Sequence, residues 1–217
     1  MSSFLTKGRR FMKILLIAGG TKIHGSTDRA VTEAEHSLKK LSVSYEKFEL
    51  RSKTIASCSG CGCCKNSGRC IYSDAAQRLA DLVSGFDGYI FFSPVHYGGA
   101  TGAIKSTMGR LFYSKKNELE YKPAAAIAVS RRGGNITALE EMARFFSFAS
   151  MPYVSGNYPG IIHGTSWEEV EKDEEGLQTI RSVCENMVWL IKCIQAGKNS
   201  GIEHPVAEEK IKTSYIR

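Results

Sequence analysis

The sequence predicts a doubly wound α/β domain: a parallel sheet with helices on both faces. Two observations carry this. Short, unbroken apolar runs end at glycine-containing loops, as a strand buried on both faces must. Each run is followed by residues with helical periodicity, and the connections between them are short. At 217 residues the chain suffices for one domain with a full core.

Met12–Ala18 reads as the first buried strand, ending at Gly19 and Gly20, Thr21–Gly25 as its loop, and Ser26–Leu41 as a helix with Ala30, Val31, Ala34, Leu38 and Leu41 on one face. Val43–Leu50 reads as a strand and Asp74–Ser84 as a helix. Tyr89–Phe92 is a further buried strand, Ser93–Gly99 a loop, and Ala103–Tyr113 a helix that buries Ile104, Met108, Leu111 and Phe112. Ala124–Val129 is the next strand, a helix follows over Gly133–Ala149, and a short strand near Pro152–Ser155 closes the sheet. A last helix carries Leu177, Ile180, Cys184, Met187, Ile191 and Ile194, with Val183, Val188, Trp189 and Leu190 widening the stripe. That width suits packing on the sheet, with part left for a homodimer or homotetramer contact. Cys184 and Cys193 lie in this pattern and read as core residues. Residues 1–11 form a basic, flexible leader, residues 12–196 the domain, and residues 197–217 a polar C-terminal extension.

The formal charge is +7. No helix has a sustained basic face and no basic-aromatic segment occurs, so a solvated surface is expected rather than a nucleic-acid partner. The longest early apolar run is too short to span a bilayer or to form a signal-peptide core, and neither end carries a lipidation motif. The expected location is the cytoplasm, without membrane attachment. Thiols stay reduced there, so clustered cysteines point to metal or redox chemistry rather than disulfides.

Ligands of an open parallel sheet bind at the carboxyl ends of its strands. Three loops are expected at that edge. GGTKIHGST (19–27) runs into a helix start, where free N–H groups, the Ser26 and Thr27 hydroxyls and Lys22 suit a phosphate. Equally, Ser26 could serve only as a helix cap, and His24 is a solvated loop residue. The loop matches neither the Walker pattern nor the dinucleotide fingerprint. SPVHYGGATGAIK (93–105) offers Pro94, Val95, His96, Tyr97 and Gly98, a backbone that a flat aromatic ligand can approach closely. SRRGGNITALEE (130–141) adds Ser130, Arg131, Arg132, Gly133 and Gly134, apt for a polar ring edge or a second phosphate. Read structurally, the last two are a tight strand-to-helix turn and a solvated turn.

With CSGCGCCKNSGRC (58–70) these motifs resemble the NADPH-dependent FMN reductase family of flavodoxin-like proteins, in its iron–sulfur flavoprotein-like branch, over roughly residues 12–165. The resemblance implies strand order 2-1-3-4-5 and FMN across the strand edge. Its phosphate would lie on Gly20, Thr21, Lys22, Ser26 and Thr27, and its ring against Pro94–Gly98 and near Ser130–Gly134. Reduced NADH or NADPH would stack on the flavin and pass hydride to N5 before leaving for the acceptor. Cofactor chemistry would then dominate, with His96 and Tyr97 the side chains nearest the flavin. The acceptor would be a quinone, nitro or azo compound, free flavin, or an electron-carrier protein. Three positions depart from the family pattern. Gly20 and Lys22 stand where the family has Ser and Arg, and His96 where it has Tyr or Phe.

The cysteines Cys58, Cys61, Cys64 and Cys70 space as C-x2-C-x2-C-x5-C, leaving Cys63 over. Four thiolates within thirteen residues, with Gly60 and Gly62 for the curl, favour a [4Fe–4S] cluster over zinc, whose knuckles are set further apart. A lone C-x-x-C redox pair or a structural loop remains an alternative. No catalytic triad, nucleophile elbow or paired-carboxylate motif occurs. The rival reading from another class is a non-enzymatic electron carrier between partner proteins.

Overall fold

The computed structural model describes residues 11–206, 208–209 and 211–216; all but the last residue of the expected basic leader lies outside them. Five strands run parallel: β1 (Lys13–Ala18), β2 (Ser44–Glu49), β3 (Gly88–His96), β5 (Ala124–Ser130) and β6 (Ile161–His163), in the order β2-β1-β3-β5-β6. A two-residue strand, β4 (Gly99–Ala100), pairs antiparallel with the end of β3. Apart from this hairpin, the order is the expected 2-1-3-4-5.

Alternation along β1 divides the core. Ile14, Leu16 and Ala18 join one apolar cluster with α1 (Ser26–Lys40) and α7 (Glu174–Asn199). Leu15 and Ile17 join the other, with α3 (Ala75–Leu82), α4 (Gly102–Leu119) and α5 (Asn135–Phe148). Period-two side chains therefore require helices on both faces. Buried Phe91 meets Phe112 and Phe146 with ring centroids 6.2 and 5.5 Å apart. Across the other face, Glu33 of α1 accepts from Arg29 at 3.0 Å and from Arg181 of α7 at 2.6 Å, tying these two helices together. Caps end the helices where the sequence provides them: Asp74 accepts from the N–H groups of Ala76 and Gln77, and Thr101 from that of Ile104.

Three expectations change. The closing strand is Ile161–His163, not Pro152–Ser155. Val154 N does donate to Ala124 O at 2.8 Å, but only at the entrance to β5. The turn-forming stretch Gly156–Gly160 then leads the chain away and back, and Gly160 sits so close that a Cβ would lie 2.3 Å from Ala126 O. The loop expected from Ser93 begins later, because β3 pairs through Pro94 with Val129 and then turns into the hairpin. On α7, Cys184 is buried as expected, but Cys193 is exposed and Trp189 is 65 % exposed. Their positions lie off the stripe that faces the sheet. The short helices α2 (Cys63–Ser67) and α6 (Trp167–Glu171) were not anticipated. The helix α7 continues to Asn199, and Tyr121 stacks on His204 beyond it at 4.6 Å, so this part of the polar extension packs on the domain.

Truncating Phe146 removes three ring neighbours from a fully buried site. Phe146→Ala should lower unfolding free energy by about 3–5 kcal/mol in urea denaturation; a loss under about 1 kcal/mol would contradict this packing.

Candidate functional site

The carboxyl ends of β1, β3, β5 and β6 surround a cleft of ≈ 220 Å³. The first loop contributes Gly20, Thr21, Lys22, Gly25, Ser26 and Thr27; the second Pro94, Val95 and His96; the third Ser130 and Arg131. These predicted residues meet at one place. The others do not. Tyr97 sits at the hairpin tip with positive φ (49°) and is fully exposed, and Gly98 follows it. Arg132, Gly133 and Gly134 line a neighbouring depression with His163. Gly134 has φ 89°, and a Cβ there would lie 2.8 Å from Gly98 Cα, so its bare backbone lets the third loop pack on the hairpin.

Helix α1 begins without a side-chain cap. Gly25 is its N-cap, and Ser26 is the first helical residue, so the alternative role for Ser26 is not used. Among the described residues, the hydroxyls of Ser26 and Thr27 make no hydrogen bond with protein, and Lys22 has no carboxylate within ion-pair distance. A helix N-terminus with unspent N–H groups, two hydroxyls and an ammonium suits an anion. The acid beside it is already answered. Arg51 Nη1 donates to Asp28 at 2.8 Å and to Lys22 O at 2.7 Å, while His24 N donates to Asp28 at 3.0 Å. This pair holds the loop and neutralises Asp28. His24 is no free loop residue, since its ring meets Trp167 edge-on at 5.7 Å.

At the opposite wall, Ser130 Oγ donates to Asn135 Oδ1 at 2.6 Å, and Asn135 Nδ2 donates to Ala128 O and Ile162 O. The buried amide thus fixes the ends of β5 and β6 against the start of α5. Sequence reading missed Asn135, Val129, Gly164 and Thr165, the last three of which line the cleft. Gly164 and Thr165 follow β6, whose three residues give almost no periodic signal.

A second cavity collects four cysteines. Cys58, Cys61, Cys64 and Cys70 line it together with Arg110, Tyr113 and Ser114 of α4, whereas Cys63 does not. The loop is tied at its ends. Ala56 N donates to Asp74, Ser57 and Ser106 share a hydrogen bond of 2.9 Å, and Cys70 N donates to Gln77 Oε1 at 2.8 Å. Its middle is tied more lightly: Arg69 donates to Asp81 at 3.0 Å and Lys65 lies over the Tyr113 ring, while Gly60, Gly62 and Gly68 have nothing packed where a Cβ would point. The Cys63 backbone N–H, then the Ser59 and Cys63 side chains, lower the Cys61 pKa, while Cys61 raises that of Cys63. Of this pair, the cavity-lining Cys61 is the one favoured as thiolate, the form that ligates metal.

Among the described residues, no three His, Cys, Asp or Glu side chains stand close enough for one metal ion. A cubane binds each thiolate through a different iron and so needs wider sulfur spacing than a single ion. The donor set fits such a group, while the ≈ 20 Å³ between the thiols is smaller than a cluster, so holding one requires the loop to open.

Residues 12–166 match the family model for NADPH-dependent FMN reductases. The chain belongs to that family. Its relatives include two iron–sulfur flavoproteins of Methanocaldococcus jannaschii, 28 % and 30 % identical over 194 residues. The matches cover 85 % and 83 % of this chain and 100 % and 98 % of those proteins. The family member also shares its fold with RosB carrying 8-demethyl-8-formylriboflavin-5'-phosphate, at TM-score 0.65 and 13 % identity over 95 % of this chain and 94 % of that one. A WrbA-like flavodoxin from Agrobacterium tumefaciens superposes at TM-score 0.58 and 12 % identity, over 84 % and 98 % of the two chains. The fold is flavodoxin-like, and the family makes the protein an FMN-dependent oxidoreductase. Among the described residues, no helix is long and apolar enough to cross a membrane.

Asp74 is one of several carboxylates, Glu33 and Glu49 among them, that contribute to the acid limb of the stability profile. Burial works against its charge, but the Arg110 guanidinium and the N–H groups of Ala56 and Gln77 outweigh this and hold its pKa below the ordinary value of 3.8. A depressed folded-state pKa gives stability that is complete above the unfolded value and lost as pH falls through the folded one. Asp74→Asn should therefore cost stability at pH 7 and flatten the fall below about pH 4. Parallel thermal melts of the two proteins from pH 7 to pH 2 check this; curves separated by a constant offset would refute it.

Proposed function

We propose that the protein is an NAD(P)H-dependent FMN oxidoreductase whose acceptor is a quinone, nitro or azo compound, free flavin, or a one-electron carrier. The observation that carries the reading is the cleft itself: three loops from separate strands bring an uncapped helix start and a bare backbone edge together. FMN, when bound, would supply the redox chemistry, taking hydride from nicotinamide and yielding electrons to the acceptor.

The chain's residues hold and orient. Lys22, Ser26, Thr27 and the first N–H groups of α1 bind the phosphate, with Thr21 replacing the hydroxyl that Gly20 lacks. Arg51 keeps Asp28 from repelling it. Pro94, Val95 and His96 flank the ring, and Ser130, held by Asn135, faces its polar edge. Tyr97, raised at the hairpin tip, is placed to cover an entering nicotinamide or acceptor rather than to line the cleft. Arg132, beside the neighbouring depression, offers positive charge for a nicotinamide phosphate. No side chain here needs to act as acid or base.

The cysteine cavity favours a second reading, electron transfer between proteins without a nicotinamide step. A [4Fe–4S] cluster on Cys58, Cys61, Cys64 and Cys70 would supply one-electron transfer. Anaerobic mixing with NADPH and with NADH separates the readings: rapid bleaching of the bound flavin supports the reductase, and none with either supports the carrier.

Replacing the phosphate-binding groups tests the cleft directly. Lys22→Ala and the pair Ser26→Ala/Thr27→Ala should each weaken FMN binding about ten-fold, on the order of 1.4 kcal/mol. Fluorescence titration of the flavin-free protein measures this. Unchanged affinity in both variants would place the phosphate elsewhere.

A further inference from the structure

Arg110 is 4 % exposed, and its partners are unevenly distributed. Nη1 donates to the Asp74 carboxylate and to Ala56 O, Nη2 to Tyr72 O at 2.9 Å, and the guanidinium lies 5.3 Å from the Tyr72 ring centre. Ala56 precedes the first cysteine of the loop and Tyr72 follows the last, so one side chain fastens both ends. The Nε–H has no partner, although it is buried. A buried N–H left without an acceptor is rare enough in folded proteins to need an explanation. Arg110 forms part of the wall of the cavity that carries the four thiols, and Cys70 lines the same wall.

We propose that Arg110 is a positioning residue for the cysteine site: its Nε–H is held for a cysteine sulfur of that cavity once the sulfur is a cluster ligand, while its Nη groups fix the loop ends. The assignment rests on the cluster reading above. Asp74 offsets the guanidinium charge within the pair, so the free N–H is the group left to act on the sulfurs. Hydrogen bonds to sulfur ligands stabilise the more negative, reduced state and raise the reduction potential of a cluster. A guanidinium cannot lose its proton, so the donor is permanent across physiological pH.

The test uses the full chain, purified without air. Iron and sulfide are quantified, and the cluster is titrated with its spin signal as readout. In heavy water, the hyperfine coupling of exchangeable protons is read on the reduced cluster. Arg110→Lys keeps the positive charge beside Asp74 but has no Nε–H. The expected result is a loaded variant with a more negative potential and one strong exchangeable-proton coupling fewer than the wild type. A folded, loaded Arg110→Lys with the wild-type potential and couplings overturns the assignment. If Arg110→Lys does not fold or load, Arg110→Met with Asp74→Asn removes donor and buried carboxylate together. It should load with the same lowered potential and missing coupling, and a wild-type potential with every coupling present would again overturn the role. Wild-type protein with flavin but no iron or sulfide overturns the cluster reading itself, a failure distinct from an unchanged potential.

Discussion

A parallel sheet with apolar side chains on both surfaces has nowhere to put its connections except its two ends. In β1, Ile14 and Leu16 demand one helical layer while Leu15 and Ile17 demand another. Every strand must then hand the chain to a covering helix at the same edge. The cleft is the consequence. Its loops come from parts of the sequence more than a hundred residues apart, from Gly20 to Thr165, and meet because the strands beneath them are adjacent. Helix α1 points its N-terminus there for the same reason, which gives the site a positive end before any charged side chain is counted.

The cysteine loop obeys a different constraint. It carries only one short helix and buries little, so its order comes from polar ties to α3 and α4. Asp74 is at once the cap of α3, the acceptor for Ala56 and the partner of Arg110. A buried ion pair is weak evidence of net stabilisation, but removing one partner leaves the other charged and desolvated. The loop's ends and the start of α3 therefore stand or fall together, while the glycine-punctuated middle is held by fewer ties, Arg69 to Asp81 and Lys65 over Tyr113.

How much of this was legible beforehand follows from the physics of each signal. Periodicity located all but the shortest elements, because β1, β3 and β5 are continuous apolar runs. The closing strand escaped, since Ile161–His163 is too short for a pattern and Pro152–Ser155 does touch the sheet once. Thr165 was lost with it. In the cleft, Lys22, Ser26, Thr27, Pro94, Val95, His96, Ser130 and Arg131 were readable from loop composition, whereas Arg51, Asn135 and Arg110 were not. Arg51 and Arg110 act through long-range contacts from positions with no local signature, whereas Asn135 stood at the end of the third loop with no role assigned to it. An arginine in a helical stretch looks solvated until the fold buries it. The exposure of Tyr97 had no sequence signal either, since a hairpin rather than an open loop raises it.

The two borders of the sheet differ in how they end. On one side β2 exposes the charged Glu46 and Lys47 between partly covered Tyr45 and Phe48; on the other β6 offers only three residues. Charge and brevity are two of the means by which sheets discourage further strand addition. Both borders are therefore poor templates for a neighbouring copy, and a ribbon of sheet running from one molecule to the next is disfavoured. An association of copies would instead draw on helix or loop surfaces, where side chains rather than backbone decide the fit.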